Sequence, residues 1–556
     1  MAATRTHTFS RNLLAGKIRG ESCVLRRLLP SSRRPMNTNT TLPVAVIGAG
    51  PVGLAAAAHL LERGETPLVL EAGSSAGATV QKWAHVRMFS PWRYTIDAAS
   101  RRLLERSGWD EPAATDLPTG GDLVSKYLEP LATRTALRGR IQFNQRVTAI
   151  SRQATDKVRT RERESRPFVI RTASPDGAQR EYLAKAVIDA SGTWTNPNPM
   201  GADGLPPMGE ESVRDRIDHG IPDVRGARRG DFAGATTLVV GSGHSAFNAV
   251  LDLLALKHEV PDTRIVWVMR RASLDKVFGG GAADALPARG ELGQRAKDAI
   301  ASGALTVVTP FAVRHLARVE GDHVRVAGEQ EGGEQSFEVD RIIVATGFRP
   351  DLDMLREVRL ELDPWLESTR ALGPLIDPNL HSCGTVRPHG PRELAQPEKD
   401  FFVIGMKSYG RAPTFLLATG YEQARSVVAE LVGDHEAAAR VELDLPETGV
   451  CSLPGSGDGA EGEGCCGVSP KKRPAEAKGD EGCGCGGKDV AKADEPVVVV
   501  AAEVSSCCGG PPKENGAACC ALDEAKNAEG QEGCGCGKTP LTTAKTQPAA
   551  ASACCG

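Results

Sequence analysis

No run of 18 apolar residues occurs anywhere in the chain, so nothing in it is built to cross a bilayer as a helix. Excess charge of either sign is also missing. The 67 Lys and Arg against 70 Asp and Glu leave a formal net charge of −3, which excludes bulk attraction to nucleic acid or an anionic membrane. Aromatic residues make up only 4% of the chain, and none follows Tyr421. From about Pro446 the composition turns to Gly, Ala, Glu, Lys, Pro and Cys. Such a segment cannot bury enough apolar surface to offset its ordering entropy, so the sequence predicts a disordered tail over residues 446–556. Cysteine is nearly absent from the rest: of 15, only Cys23 and Cys383 precede the tail, which excludes a disulfide framework of the secreted type.

Apart from Cys451, the tail cysteines come in pairs: Cys465 and Cys466, Cys483 and Cys485, Cys507 and Cys508, then Cys519 and Cys520, Cys534 and Cys536, Cys554 and Cys555. The order CC, CGC, CC runs twice, with Glu-Gly-Cys-Gly-Cys-Gly in both halves, so the tail reads as an internal duplication. Adjacent cysteines make strained disulfides with each other. Paired thiolates on a flexible chain suit a soft metal or metalloid such as Zn, Cu(I), Hg(II) or trivalent arsenic. A tail dithiol that swings into a redox site, and a tail of no consequence, remain as alternatives.

At the other end, residues 1–36 carry eight Arg or Lys against the single acid Glu21. The segment has the composition of a mitochondrial transit peptide, or else Met36 is the true start of a cytoplasmic protein; either way residues 1–41 stand outside the fold. Between Leu42 and Leu445 short β-branched runs alternate with Ala- and Leu-rich stretches, the pattern of an α/β fold with parallel sheets and crossover helices. The expected strands are Val44 to Gly48, Pro67 to Glu71, Ala186 to Ala190, Thr237 to Gly241, Arg264 to Met269, Arg341 to Thr346 and Phe401 to Ile404.

Two of these strands run into glycine turns. In the first, Gly48-Ala-Gly50-Pro-Val-Gly53 follows Val44 to Ile47 and opens an Ala-rich helix. Gly48 allows the tight turn, Gly50 lets a pyrophosphate approach the backbone, and Gly53 permits close helix packing. Glu71, at the end of the second strand, stands where an acid bonds ribose hydroxyls. In the second motif, Gly241-Ser-Gly243-His-Ser-Ala246, alanine replaces the third glycine and the following strand ends in Arg270 and Arg271. Arginine there neutralises a 2′-phosphate, so this site is expected to prefer NADP. The two motifs, with the return strand Arg341 to Gly347, imply an FAD-binding Rossmann-like domain (42–204 and 336–445) carrying an inserted NADP-binding Rossmann-like domain (205–335).

This arrangement resembles the two-dinucleotide-binding flavoproteins, including their hinge segments Asp189-Ala-Ser-Gly192 and Ala345-Thr-Gly347. Disulfide reductases of that group carry a cysteine pair beside the flavin; here the body has only Cys383. The sequence is similar instead to flavin-containing monooxygenases, through Gly77 before Trp83, Ser191 to Pro199, and Phe232-Ala-Gly234, with His219 the nearest candidate for their signature histidine. A closer resemblance is to the flavoprotein monooxygenase-like proteins of bacterial arsenic resistance operons. The residues that carry it are Met88-Phe-Ser-Pro-Trp92, His381-Ser-Cys-Gly-Thr385 and Gly405-Met-Lys-Ser-Tyr-Gly-Arg-Ala-Pro413.

The resemblance implies hydride transfer from NADPH to FAD, reaction with oxygen, and oxygen transfer to a small molecule, with no acid–base dyad required. It places Arg87, Trp92, Lys407, Tyr409 and Arg411 near the flavin, with Gly347 and Gly405 among the cofactor contacts. At Met406 the family's usual carboxylate is missing, which leaves flavin contact to backbone or to Lys407 and Ser408. A helix expected from Thr414 to Glu430 would turn its N-terminus toward the flavin. Cys383, flanked by His381 and His389, is either a metalloid ligand or a small buried residue. A reductase that works through a tail pair such as Cys554 and Cys555 is the competing reading.

Overall fold

The computed structural model describes residues 42–272, 287–380, 388–413 and 415–443. The basic extension, Cys383 and His381, and every tail cysteine lie outside the described residues. Each expected strand is present, and they divide between two five-stranded parallel sheets. The first sheet has the order Phe401–Val403, Ala186–Asp189, Val44–Ile47, Pro67–Leu70, Ile141–Gln142. The second has the order Thr306–Val308, Arg264–Val268, Thr236–Val240, Arg341–Val344, Ile217–His219.

Because successive side chains leave a strand on opposite faces, an apolar strand must be covered twice. In the first sheet Val44 and Val46 pack on helices, chiefly Pro51–Glu62 and Leu417–Leu431. Ala45 and Ile47 face a three-stranded antiparallel meander, Arg146–Arg152, Phe168–Ala173 and Gln179–Ala184. The second sheet repeats the plan. Val239, Ile265 and Trp267 face the helix His244–Glu259, and Leu238, Val240 and Val268 face the meander Phe311–Arg318, Val324–Gln330 and Gly333–Val339. The meanders were not among the expected strands because they are buried on one face only, so they alternate instead of forming apolar runs.

Two expectations are corrected. Arg341–Val344 does not return to the first sheet; it pairs with Thr236–Val240 inside the second. The second meander delivers the chain straight back to its own sheet, so a boundary at residue 335 would cut that sheet, and the crossing falls at Ala345 to Gly347. The last long helix begins at Leu417, three residues later than expected, and Thr414 lies outside the described residues.

The first meander is pinned by buried charge. Glu398, 2% exposed, receives Arg152 Nε on one oxygen at 2.8 Å and Arg163 Nη2 on the other at 2.7 Å. Arg163 also donates to the carbonyls of Asp156 at 2.7 Å and Glu357 at 2.8 Å. Burial alone would push the Glu398 carboxyl up, but the bonds from Arg163 and Arg152 outweigh it and hold it below the ordinary carboxylate value. The contribution is therefore fully present at neutral pH and fades as pH falls through the carboxylate range. Glu398→Ala, which leaves two buried guanidiniums unneutralised, is expected to cost about 3–5 kcal/mol in urea unfolding at pH 7. The gap from the unaltered protein should narrow toward pH 3, and a loss below about 1 kcal/mol at pH 7 would refute the assignment.

Candidate functional site

Three chain segments converge on the first turn of Pro51–Glu62. Gly48 sits at φ +97°, and a β-carbon there would come within 2.9 Å of the Ala190 carbonyl oxygen and 3.2 Å of Ser191 Cα. At Gly53 a β-carbon would lie 2.1 Å from the Gly48 oxygen, so helix and strand touch backbone to backbone. Gly405, at φ +71°, rests on Val52 in the same turn. Gly50, by contrast, faces open space, with nothing within 4 Å of where its β-carbon would be.

The helix that starts there has neither a side-chain cap nor an acid in its first turn, so the positive end of its dipole is left for a ligand. The Glu71 carboxylate accepts from Ala49 N at 2.6 Å and Gly73 N at 2.7 Å, which fixes an anion beside the turn. An open backbone cradle, an uncompensated helix N-terminus and an acceptor-only side chain for hydroxyls fit the pyrophosphate and ribose of FAD.

The second turn is built the same way. Gly241 has φ +134°, a β-carbon on it would strike the Ala345 oxygen at 2.3 Å, and Gly243 faces open space. Ala246, where a third glycine would stand, is fully buried in the helix core, so this helix sits far enough from its strand to admit a methyl group. Trp267 Nε1 donates to the Gly241 carbonyl at 2.7 Å and stiffens the turn. Arg270 and Arg271 are exposed at the strand end, with Arg270 Nη1 donating to the Ala202 carbonyl at 2.9 Å. Two long cationic side chains at this edge fit a 2′-phosphorylated nucleotide.

The two halves meet through side chains. Phe89 lies 5.5 Å from the ring of His244, the first residue of the second glycine-turn helix. The crossing segments are tied to one another: Asn198 N donates to Gly347 O at 2.9 Å, Asn198 Nδ2 to Thr346 O at 3.1 Å, and Thr346 Oγ1 to Asn198 O at 2.8 Å. Trp194 stacks on Phe348 at 4.6 Å and lies 6.4 Å from Trp83. His219 ends the edge strand of the second sheet, and the next residue, Gly220, abuts the Trp194 ring.

Of the five residues expected near the flavin, Arg87 and Trp92 border one cleft, and Lys407, Tyr409 and Arg411 do not reach it. Trp92 and Tyr409 are each 2% exposed and belong to the core, Tyr409 set edge-on to Phe415 at 5.2 Å. Burial pushes the Tyr409 phenol well above its ordinary pKa, so it stays protonated. Lys407, also 2% exposed, is turned inward to Asp189 Oδ2 at 2.7 Å and Ser191 Oγ at 3.1 Å. Ser408 bonds Gly405 O at 2.8 Å and is fully buried, so neither of the side chains expected to contact the flavin at this turn is free to do so. Met406 is the one residue from Phe401 to Gly410 that is not buried. Arg87 and Arg411 are exposed but held by different segments, Arg87 on the Leu117 carbonyl at 3.3 Å and Arg411 N on the Leu366 carbonyl at 2.6 Å.

A cleft of about 800 Å³ opens beside Arg87, Trp92, Trp109 and Asp116, and no glycine of either turn lines it. His389 is buried and bonded to Gln423 at 2.8 Å, so this member of the expected metalloid trio is engaged in the core. Among the described residues no three His, Cys, Asp or Glu are placed to hold a metal ion. Two residues outside the expected set position the turn at Gly405. Asp189, in the hinge segment, holds Lys407, and Gln423, fully buried, accepts from Gly405 N at 2.7 Å. An acid ending the apolar run Ala-Val-Ile-Asp189 was the available signal.

Comparison with known proteins agrees with this geometry. The chain is 28% identical over 238 residues to flavin-containing monooxygenase 1 of Mus musculus, covering 41% of each. It is 30% identical over 236 residues to monooxygenase cfoE of Aspergillus candidus, covering 40% of this chain and 35% of that one. It therefore spans well under half the length of these curated relatives. In fold it is similar to bacillithiol disulfide reductase Bdr of Bacillus cereus, with a TM-score of 0.54 and 17% identity over 71% of this chain and 99% of that one. The family model for pyridine nucleotide-disulphide oxidoreductases matches residues 45–371, more than half of the sequence, and the chain, with its two glycine turns on two parallel sheets, belongs to that family of enzymes.

Proposed function

We propose that the protein is an FAD-dependent, NADPH-using monooxygenase that oxidises a small, soft substrate, a trivalent arsenical or related metalloid compound being the first candidate. The paired tail thiols from Cys465 to Cys555 would concentrate that substrate. The observation that carries the reading is the pairing of two complete dinucleotide turns with a body whose only cysteine is Cys383: electrons that enter here have no resident dithiol to leave by. FAD, when bound, supplies hydride acceptance from NADPH and delivery of electrons to dioxygen.

The chain's own part is binding and exclusion. Gly50 opens the backbone to the FAD pyrophosphate, Glu71 receives ribose hydroxyls, and Gly243 does for NADPH what Gly50 does for FAD. Arg270 and Arg271 select the 2′-phosphate. Trp83, Trp194, Phe348 and Phe89 line the seam between the halves with aromatic surface that keeps water from the reacting atoms.

Substrate-stimulated NADPH oxidation, followed with arsenite as probe, should stop under nitrogen; an equal rate without oxygen would sink the monooxygenase reading. The chain truncated after Leu445 should keep most of that activity at saturating arsenite, whereas complete loss would favour reduction through the tail pair Cys554 and Cys555. The double variant Arg270→Ser/Arg271→Ser should raise the KM for NADPH about ten- to hundredfold, the worth of one or two charge-assisted bonds, and leave that for NADH nearly unchanged. Equal effects on the two nucleotides would remove the arginines from specificity.

A further inference from the structure

The residue after Gly405 is Met406, and a carboxylate stands beside this turn on the neighbouring strand. Asp189 lies opposite Val403 in register and is fully buried. Its Oδ1 accepts from Ser191 N at 3.1 Å and Ser191 Oγ at 2.6 Å, while its Oδ2 accepts from Lys407 Nζ at 2.7 Å. A lone buried carboxylate is costly; the lysine neutralises it, and the pair is stable only while both partners remain.

The consequence falls on Ser191. A serine hydroxyl has one proton to give and two lone pairs to receive with. The proton goes to Asp189, and one lone pair is taken by Lys407 Nζ at 3.1 Å. What remains is an acceptor in a fixed direction. Ser191 is itself exposed, and its Cα lies 3.2 Å from where a β-carbon on Gly48 would be, directly over the first glycine turn. An acceptor-only oxygen repels a phosphate oxygen and welcomes a hydroxyl proton.

We propose that Ser191 Oγ, locked by Asp189 and Lys407, accepts a hydrogen bond from a sugar-type hydroxyl of the bound FAD. Lys407 is a positioning residue in this arrangement. The proposal rests on the FAD reading above, and the hydroxyl belongs either to the ribityl chain or to the adenosine ribose.

The test is release of FAD from the full-length holoenzyme on dilution, followed by flavin fluorescence. Ser191→Ala should raise the FAD dissociation constant about tenfold, with the KM for NADPH unchanged, and Ser191→Thr, which keeps the hydroxyl, should stay within about threefold of the unaltered protein. Lys407→Met should weaken FAD to a similar degree, and the double variant no further than the weaker single, because both act through one oxygen. Competition by ADP separates the two sources: a matching loss for ADP places the hydroxyl on the ribose, and no loss places it on the ribityl chain. An unchanged FAD dissociation constant for Ser191→Ala overturns the proposal whether or not Lys407→Met folds. Failure of the unaltered protein to bind FAD would instead overturn the functional reading itself.

Discussion

Everything in the first half of the molecule is arranged around one backbone contact, the approach of Gly53 to the Gly48 carbonyl. With helix and strand this close, the first helical turn is driven against the C-terminal edge of the sheet, and every other element must fit around it. Gly420 gives way in the same manner, since a β-carbon there would lie 2.6 Å from Val52 and from Phe415. The helix behind it is lined with alanine, Ala55 to Ala58 fully buried, because larger side chains would lift it off the sheet and close the space at Gly50. The cradle is thus a product of small residues at three places, not of any single binding side chain.

The second half solves the same problem with less pressure. Its third small residue is alanine, and its turn is held by an indole bonded to the Gly241 carbonyl. Where the first turn carries a fixed, half-engaged carboxylate, the second ends in exposed guanidiniums. The difference fits the residence of the two nucleotides proposed here: a cofactor that stays is met by groups already immobilised in hydrogen bonds, and one that comes and goes is met by long side chains in solvent.

Most of this was legible in the sequence, and for a physical reason. A parallel strand buried on both faces must be a short apolar run, and a nucleotide turn must be glycine where backbone meets backbone, so both leave a local record. Tyr409 and Lys407 face the core, and a local window cannot tell a side chain that faces a cofactor from one that does so. Lys407 in particular is decided by Asp189, 218 residues away in sequence. The meanders leave a weaker local record because one-sided burial gives only alternation, and Arg163 reads as one member of a solvated basic stretch until Glu398 is seen beside it.

The paired crossing segments have a mechanical meaning. Two independent single-chain linkers would let the nucleotide-binding halves slide, twist and separate. Bound to each other from Asn196 to Phe348, by backbone bonds, the Asn198 and Thr346 side chains and a ring stack, they act as one short ribbon. A ribbon resists stretching and shear far more than torsion. The relative motion left to the two halves is then close to a single twisting coordinate, and a search over one coordinate brings the two glycine turns back to the same mutual placement each time.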